Sequence, residues 1–208
     1  MVHSGLETKD ELKVITMFHL IGLALEIFKV HMGSWSYPEE GYVKIFGVPL
    51  YSGFMYASVA SYLCQAWRRL KVELINWPPF LVVVPLAAAI YLNFFTHHFW
   101  VDVRWWLSGI VLIVFWRSWI IFQVNRTRYR MPLTLSFILI GFFIWIAENI
   151  ATFFDAWQYP DQKDAWSLVH LGKISSWLLL VIVSFLIVAT LKQVKGKSSS
   201  SIGTNQYF

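Results

Sequence analysis

Six apolar segments, each long enough to cross a bilayer, constrain the fold of this chain more than any other feature. A transmembrane helix needs about 20 predominantly apolar residues to cover a hydrocarbon core of about 30 Å. We therefore predict an all-α fold, a polytopic membrane helix bundle with about six transmembrane helices. The predicted spans are 12–31, 47–67, 78–96, 104–124, 131–154 and 166–191.

The composition agrees with a membrane protein and leaves little room for a second domain. Hydrophobic residues make up 57% of the chain and charged residues 14%, whereas soluble domains carry about 25% charged residues. We expect one membrane domain over residues 1–194. Residues 195–208 are rich in serine and have the composition of a disordered tail.

The distribution of lysine and arginine predicts the orientation, because loops on the cytoplasmic side carry an excess of these residues. With the N-terminus inside, the inner side receives Lys9, Lys13, Arg68, Arg69, Lys71, Arg126, Arg128, Arg130, Lys192, Lys195 and Lys197. The outer side receives only Lys44, Arg104 and Lys163. Both termini are therefore expected in the cytoplasm, with the chain in a bacterial cell membrane. This topology and attraction to anionic lipid explain the net charge of +5, so no nucleic-acid partner is required.

One motif, E-x8-W-x-Y-P, occurs at the outer ends of the first and fifth predicted spans. A shift of 122 positions superimposes its two copies, and the matched residues are Glu26, Trp35, Tyr37 and Pro38 with Glu148, Trp157, Tyr159 and Pro160. Both spans run from inside to outside in this topology. The two copies therefore predict a parallel internal repeat in which spans 1–2 resemble spans 5–6.

Glu26 and Glu148 are the only acidic residues inside any predicted span, and intramembrane ionisable residues are usually functional. Most other polar candidates fall in the outer half of the bundle, which favours one shared polar cavity. The candidate catalytic residues are Glu26, Glu148, His97, His98 and Asp102. The candidate substrate-binding residues are Trp35, Tyr37, Asn93, Asn149, Trp157, Tyr159 and Lys173. The histidine spacing does not suit a metal, and we expect neither a metal nor another cofactor.

Simpler interpretations exist for the same residues. Glu26 and Glu148 could pair with Lys29 and Lys173 and so hold helices together. The tryptophans and tyrosines of the two motifs lie where an interfacial aromatic belt is expected.

Several longer blocks resemble a known family. These blocks are G-V-P-L-Y-S-G-F-M-Y-A-S-V-A-S-Y (47–62), N-F-F-T-H-H-F (93–99), F-I-W-I-A-E-N-I-A-T-F (143–153) and W-Q-Y-P-D-Q (157–162). They resemble the bacterial integral-membrane family catalogued as domain of unknown function 817, over about residues 15–191. This resemblance implies a membrane protein and brings no activity with it.

A second resemblance concerns function. A glutamate on the first span, the W-x-Y exit and G-V-P-L at the start of the second span are similar to bacterial-type lycopene cyclases and carotenoid hydratases. This similarity implies chemistry on an isoprenoid.

Two functions follow as hypotheses. The first is a membrane enzyme that uses acid–base catalysis on an apolar, isoprenoid or carotenoid-like lipid in an outer-leaflet cavity. A protonated Glu26 or Glu148 would be the acid, the aromatic rings would stabilise a carbocation, and His97, His98 or Asp102 would take the proton back. The alternative is a small-molecule transporter or lipid-binding protein that uses the same glutamates. A scaffold without a ligand is a third possibility, and the oligomeric state is left open.

Overall fold

The computed structural model describes residues 5–38 and 43–204, with side chains up to residue 192, and its helices follow the predicted segments in order. Four helices correspond closely to predicted spans. The fourth helix is much shorter than its span, and the sixth is shifted toward the C-terminus relative to the predicted span 166–191. The helices are α1 Lys9–His31, α2 Tyr51–Arg69, α3 Phe80–Thr96, α4 Arg104–Val114, α5 Leu133–Phe153 and α6 Gly172–Thr204, and a 3-10 turn covers Pro160–Gln162. The side chains of the predicted disordered tail, residues 195–208, lie outside the described residues. The disorder of this tail therefore stays a prediction.

Three of the described helices are long and apolar enough to cross a membrane. They are α1, α5 and the part of α6 from Gly172 to Lys192. The helices α3 and α4 are apolar but shorter, and α2 is too polar to qualify by composition. The chain therefore has several apolar helices of spanning length, while the six complete spans stay a prediction.

The described residues contain two small antiparallel sheets, so the prediction of an all-α fold was wrong in this respect. The first pairs β1 Lys44–Ile45 with β2 Val48–Pro49. The second has the order β3-β4-β5. Its strands are β3 Glu73–Ile75, β4 Trp119–Val124 and β5 Thr127–Pro132.

The predicted fourth span, 104–124, was also wrong, because its second half forms strand β4. Residues of this half pair with β3 on one side and with β5 on the other. Asn125 then has a φ of +54°, a conformation that asparagine adopts more readily than most residues and that suits a two-residue hairpin turn. Val124 therefore pairs with Thr127, and β4 and β5 form a hairpin.

Helix α6 lies at the centre of the main apolar core. Its residues Ile182 and Leu186 are buried, and Phe185 packs against Phe137 of α5 with ring centroids 5.5 Å apart. Phe137 in turn contacts Phe115, which follows α4 and is fully buried. Because lipid tails are as apolar as these side chains, van der Waals packing holds such helices together within a bilayer.

Glycines allow α1 and α2 to pack closely. A Cβ atom on Gly22 would lie 2.4 Å from the ring of Tyr56, and one on Gly53 would lie 2.8 Å from the ring of His19. The ring of Tyr56 therefore lies directly on Gly22, one helical turn before Glu26. This contact determines where the Tyr56 hydroxyl can reach.

An ionic cluster closes one end of the bundle. Glu11, which is 1% exposed, forms a capping box with Thr8 at the start of α1. It also accepts a hydrogen bond from Lys192 of α6 and lies 3.4 Å from Arg68 of α2. The start of α1 and the distal parts of α2 and α6 therefore meet at this end.

Candidate functional site

Glu26 is buried at the other end of α1 and accepts three side-chain hydrogen bonds. Its Oε2 accepts from Trp35 Nε1 at 2.8 Å and from the Tyr37 hydroxyl at 2.7 Å. Its Oε1 accepts from the Tyr56 hydroxyl at 2.9 Å. The chain can return to Glu26 because Gly33 has a φ of +69° just after the helix, a conformation that glycine adopts without steric cost.

Glu148 on α5 has the corresponding partners from the second copy of the motif. Its Oε2 accepts from the Tyr159 hydroxyl at 2.6 Å and more weakly from Trp157 Nε1 at 3.4 Å. Here the chain turns back after the helix at Asp155, where φ is +56°. The spacing of nine and eleven residues thus places an indole N–H and a phenol on the same carboxylate in both copies.

The two carboxylates differ in how completely they are bonded. Both oxygens of Glu26 accept hydrogen bonds, whereas both bonds to Glu148 fall on Oε2. Among the described residues, nothing donates to Glu148 Oε1. An oxygen without a donor can accept a hydrogen bond from a ligand.

The two W-x-Y turns are joined by their middle residues. Ser36 and Gln158 form an isolated antiparallel bridge, in which each backbone N–H donates to the other carbonyl at 2.9 Å. Trp35 and Tyr159 also contact each other edge to face, with ring centroids 6.3 Å apart. The correspondence of the complete helix pairs, spans 1–2 with spans 5–6, stays a prediction.

Both glutamates line one cavity of about 260 Å³. Its wall is largely apolar and includes the tryptophan and tyrosine of both motifs. Helices α2, α5 and α6 supply further lining residues, among them Tyr56, Val59, Ile144, Trp177, Val181 and Ser184. Such a cavity can hold an apolar group, and the carboxylates offer it a polar anchor.

A second polar cluster surrounds Lys29, which is 2% exposed. Its Nζ lies 3.0 Å from His98 Nε2 and 3.4 Å from His97 Nε2. Ser34 Oγ lies 3.2 Å from the same nitrogen of His98. Lys29 and Glu26, which the simpler interpretation of the sequence paired, are therefore not within ion-pair distance in the described part of the chain.

Asp102 and Asn93 extend this cluster. Asp102 forms an ion pair with Arg104 and accepts a hydrogen bond from Asn93 Nδ2 at 3.4 Å. Partial burial would raise the pKa of Asp102, but the hydrogen bonds from Arg104 and Asn93 lower it to about 2. Asn93 Oδ1 accepts from the backbone N–H of Val103 at 3.1 Å. These contacts fix the connection between α3 and α4.

The predicted site residues thus divide into two groups. The six from the two motifs line the cavity, whereas the other six are outside its lining: Asn93, His97, His98, Asp102, Asn149 and Lys173. Lys173 lies 4.2 Å from the centroid of the Tyr159 ring. It forms no ion pair with Glu148 within 4 Å among the described residues. The described residues contain no group of three or more histidine, cysteine or acidic side chains suited to a metal ion.

Asn149 also lies outside the cavity and holds a loop in place. Its Nδ2 donates to the carbonyl of Trp145 at 2.7 Å, and its Oδ1 accepts from the backbone N–H of Val169 at 2.9 Å. Sequence reasoning missed Tyr56, Trp177 and Ser184. The G-F-M-Y segment contained Tyr56, but neither its spacing nor its composition connected it to Glu26.

Comparison with known proteins identifies the family. The family model described as Protein of unknown function (DUF817) matches residues 1–185. The chain belongs to the DUF817 family. Its relatives include Uncharacterized protein YoaT of Bacillus subtilis (strain 168), which is 80% identical over 208 residues. The match covers 100% of this chain and 79% of YoaT.

Solved structures give this DUF817 protein an Insig-like fold. It resembles the crystal structure of MvINS, a mycobacterial Insig homolog from Mycobacterium vanbaalenii, with a TM-score of 0.62 and 12% sequence identity. A cross-linked MvINS trimer gives a TM-score of 0.61 and 11% identity. Each match covers 88% of this chain and 93% of the other. Its three described helices of spanning length make the chain a membrane protein. These comparisons do not support the resemblance to carotenoid-modifying proteins.

Proposed function

We propose that this DUF817 protein binds the end of an apolar lipid that carries a hydroxyl group. The observation that carries this proposal is a largely apolar cavity with one carboxylate oxygen, Glu148 Oε1, that lacks a donor in the described residues. A lipid hydroxyl would donate to this oxygen while its chain contacts the aromatic wall. The other carboxylate, Glu26, already has three donors and serves to hold Trp35 and Tyr37 in place.

The size of the cavity limits what it can hold. Its volume of about 260 Å³ is just below the 300–1,000 Å³ that is usual for sites enclosing a whole small molecule. We therefore expect one end of a lipid inside it and the rest between the helices or in the bilayer. A long isoprenoid could enter only in part.

The binding proposal is tested by filling the cavity. We expect Val181→Phe to be tolerated, because the added ring enters existing space, and to displace the lipid. The matched control is Val188→Phe on the same helix. Val188 is fully buried and outside the cavity lining, so overpacking there should cost about 1–3 kcal/mol. Mass spectrometry of lipids extracted from the purified proteins should detect a lipid with the wild type and none with Val181→Phe. Equal lipid content in these two proteins would contradict the proposal.

The hydroxyl is tested with paired ligands. Thermal unfolding in detergent should shift upward with 1-decanol and much less with decane, since only the alcohol can donate to Glu148 Oε1. Val181→Phe should abolish the shift. Equal shifts with the two compounds would remove the assigned role of Glu148.

Acid–base catalysis at Glu148 is a second candidate, favoured by the rings of Trp157 and Trp177 in the cavity wall. A protonated Glu148 would give its proton to an alkene carbon and leave a carbocation beside these rings. The same carboxylate would then remove a proton from the neighbouring carbon, so that the double bond migrates. His97, His98 and Asp102, the expected bases, are outside the cavity lining. Deuterium uptake by an alkenyl lipid in D2O, absent with Glu148→Gln, would support this activity; no uptake by the wild type would exclude it.

We also propose that the helices alternate across a bacterial cell membrane with both termini in the cytoplasm. Strand β4 joins the end of the bundle that contains Glu11, because Gln123 donates to the Leu70 carbonyl. Helix α4 has 11 residues, which rise only about 16 Å. Of the residues that follow it, Phe115 and Ser118 are buried, whereas Trp116 and Arg117 between them are exposed.

Reporter fusions test this orientation. Fusions after residues 72 and 128 should report the cytoplasm, and a fusion after residue 162 should report the outside. An outside signal at 128 would reverse the proposed orientation. The parallel repeat is supported by the matching hydrogen bonds of Glu26 and Glu148, and an experimental structure with these glutamates at different depths would refute it.

A further inference from the structure

Lys29 is buried, and no carboxylate of the described residues lies within contact distance to neutralise its ammonium form. A buried ammonium group is costly unless it is paired and hydrogen-bonded. Its partners within 4 Å are the two imidazoles of His97 and His98, and its Nζ also lies 4.1 Å from the centroid of the Phe94 ring. Neutral rings solvate the ammonium but leave its charge uncompensated.

The hydrogen bonds of Lys29 determine where the two histidines carry their protons. An ammonium group only donates, so Nε2 of His97 and of His98 must both accept. His97 then holds its proton on Nδ1 and donates it to the Asn93 carbonyl at 3.0 Å. His98 also carries a proton on Nδ1, and this N–H has no acceptor among the described residues. Burial and the charge of Lys29 lower the pKa of His98 to about 4, so the ring is neutral at physiological pH.

Two further cations border the same region. Arg104 Nη1 donates to Ser176 Oγ at 2.8 Å, and Ser176 lies one turn after Lys173 on α6. Lys173 lies 6.0 Å from the centroid of the Trp35 ring. Trp35 is the next residue in the chain after Ser34, whose hydroxyl contacts His98. Arg104 and Lys173 therefore approach from α4 and α6 toward the same corner of the bundle as Lys29.

The carboxylates near these cations either have other hydrogen-bond partners or lie more than 4 Å from Lys29 and Lys173 among the described residues. Asp102 is paired with Arg104. Glu26 and Glu148 are held by tryptophan and tyrosine side chains, and Asp161 is exposed. The charges of Glu26, Asp102, Glu148 and Asp161 act on Lys29 or Lys173, but none of them lies within 4 Å of either ammonium in the described residues.

We propose that Lys29, His98, Arg104 and Lys173 form a binding site for a phosphate-type anion. The anion accepts hydrogen bonds from His98 Nδ1, Arg104 and Lys173, and Lys29 supplies positive charge beneath it. The site is separate from the lipid cavity, and the argument for it does not depend on what the cavity binds. Two sources offer the same chemistry: the phosphate of an anionic lipid headgroup and free inorganic phosphate.

Thermal unfolding of the purified protein in detergent tests the site and separates its two sources. One series adds inorganic phosphate, and the other adds short-chain phosphatidic acid, with diacylglycerol of the same chain length as the uncharged comparison without phosphate. A ligand at 100-fold excess over its Kd should raise the Tm by about 5–10 °C. A shift with inorganic phosphate identifies free phosphate as sufficient. A shift with phosphatidic acid alone identifies a lipid headgroup.

The variant that tests the assignment is Arg104→Gln with Lys173→Gln. It should lose the shift, whereas Arg128→Gln should keep it, because Arg128 is exposed and paired with Glu73 in the β3-β4-β5 sheet. Since Arg104 also binds Asp102, Lys173→Gln alone replaces the double variant if the latter does not fold, and it should reduce the shift. The same shift in variant and wild type, or no shift with either anion, would overturn the proposal.

Discussion

The hydrogen bonds to the two glutamates predict unequal effects of the same substitution in the two copies of the motif. Tyr159→Phe removes the shorter of only two bonds to Glu148 and leaves Trp157 Nε1 at 3.4 Å. Tyr37→Phe leaves Glu26 with two good donors, Trp35 and Tyr56. We therefore expect Tyr159→Phe to be the more destabilising change.

The size of the difference follows from typical hydrogen-bond energies. A bond to a charged group contributes about 1.5–3 kcal/mol, and Tyr159→Phe should reach the upper part of this range because Glu148 keeps no strong donor. Tyr37→Phe should cost about 1.5 kcal/mol or less. For a chain of this length, 1 kcal/mol corresponds to about 2–4 °C in Tm. The expected decreases are thus about 5–10 °C for Tyr159→Phe and about 3–6 °C or less for Tyr37→Phe.

Thermal unfolding of the purified variants in one detergent measures this difference. Tyr62→Phe is the matched control, because Tyr62 is 71% exposed and makes no hydrogen bond among the described residues. Its Tm should match that of the wild type. In the Tyr159→Phe background, Glu148→Gln should cost less than it does alone. Equal decreases for Tyr37→Phe and Tyr159→Phe would refute the reasoning, and so would additive effects of Tyr159→Phe and Glu148→Gln.

Two further predictions concern the helix packing and the loop beside the site. Gly22→Ala should lower the Tm, with a cost of about 1–3 kcal/mol, because the added Cβ would displace Tyr56 from Glu26. Gly109→Ala is the control and should be neutral or stabilising, because nothing lies within 4 Å of the added atom. An unchanged Tm for Gly22→Ala would contradict the described contact. Asn149→Ala should leave the Val169 amide without its acceptor and increase protease cleavage within residues 163–171, and unchanged cleavage would show that other contacts hold this loop.

The sequence predicted the helices and part of the site because both depend on short-range patterns. Apolar runs determine helices within a membrane. A glutamate inside such a run is recognisable as a candidate functional residue because its burial in a membrane costs free energy. The motif spacing was informative because the chain turns back directly after each helix, which places Trp35 and Tyr37 beside Glu26. The structure adds the reason for the spacing, namely that both side chains donate to the glutamate.

Other parts depend on contacts between distant segments. The acceptor of the Tyr56 hydroxyl is determined by how α1 and α2 pack at Gly22, which a pattern within one helix does not reveal. One interpretation of the sequence paired Lys29 with Glu26, three residues before it, but the neighbours of Lys29 come from the end of α3, 68 and 69 positions away. The second half of the fourth predicted span is a largely apolar run, which is compatible with a helix or with a strand. Its pairing with β3 and β5 determines that it forms a strand.

The bridge between Ser36 and Gln158 makes the two copies of the motif mechanically dependent on each other. It consists of two backbone hydrogen bonds at 2.9 Å, so the nature of the two side chains does not determine it. Trp35 and Tyr37 flank one side of the bridge, and Trp157 and Tyr159 flank the other. A displacement of either turn must break both bonds or carry the opposite turn along. The two turns, each of which carries the tryptophan and tyrosine that bind one glutamate, are therefore linked to each other through the main chain.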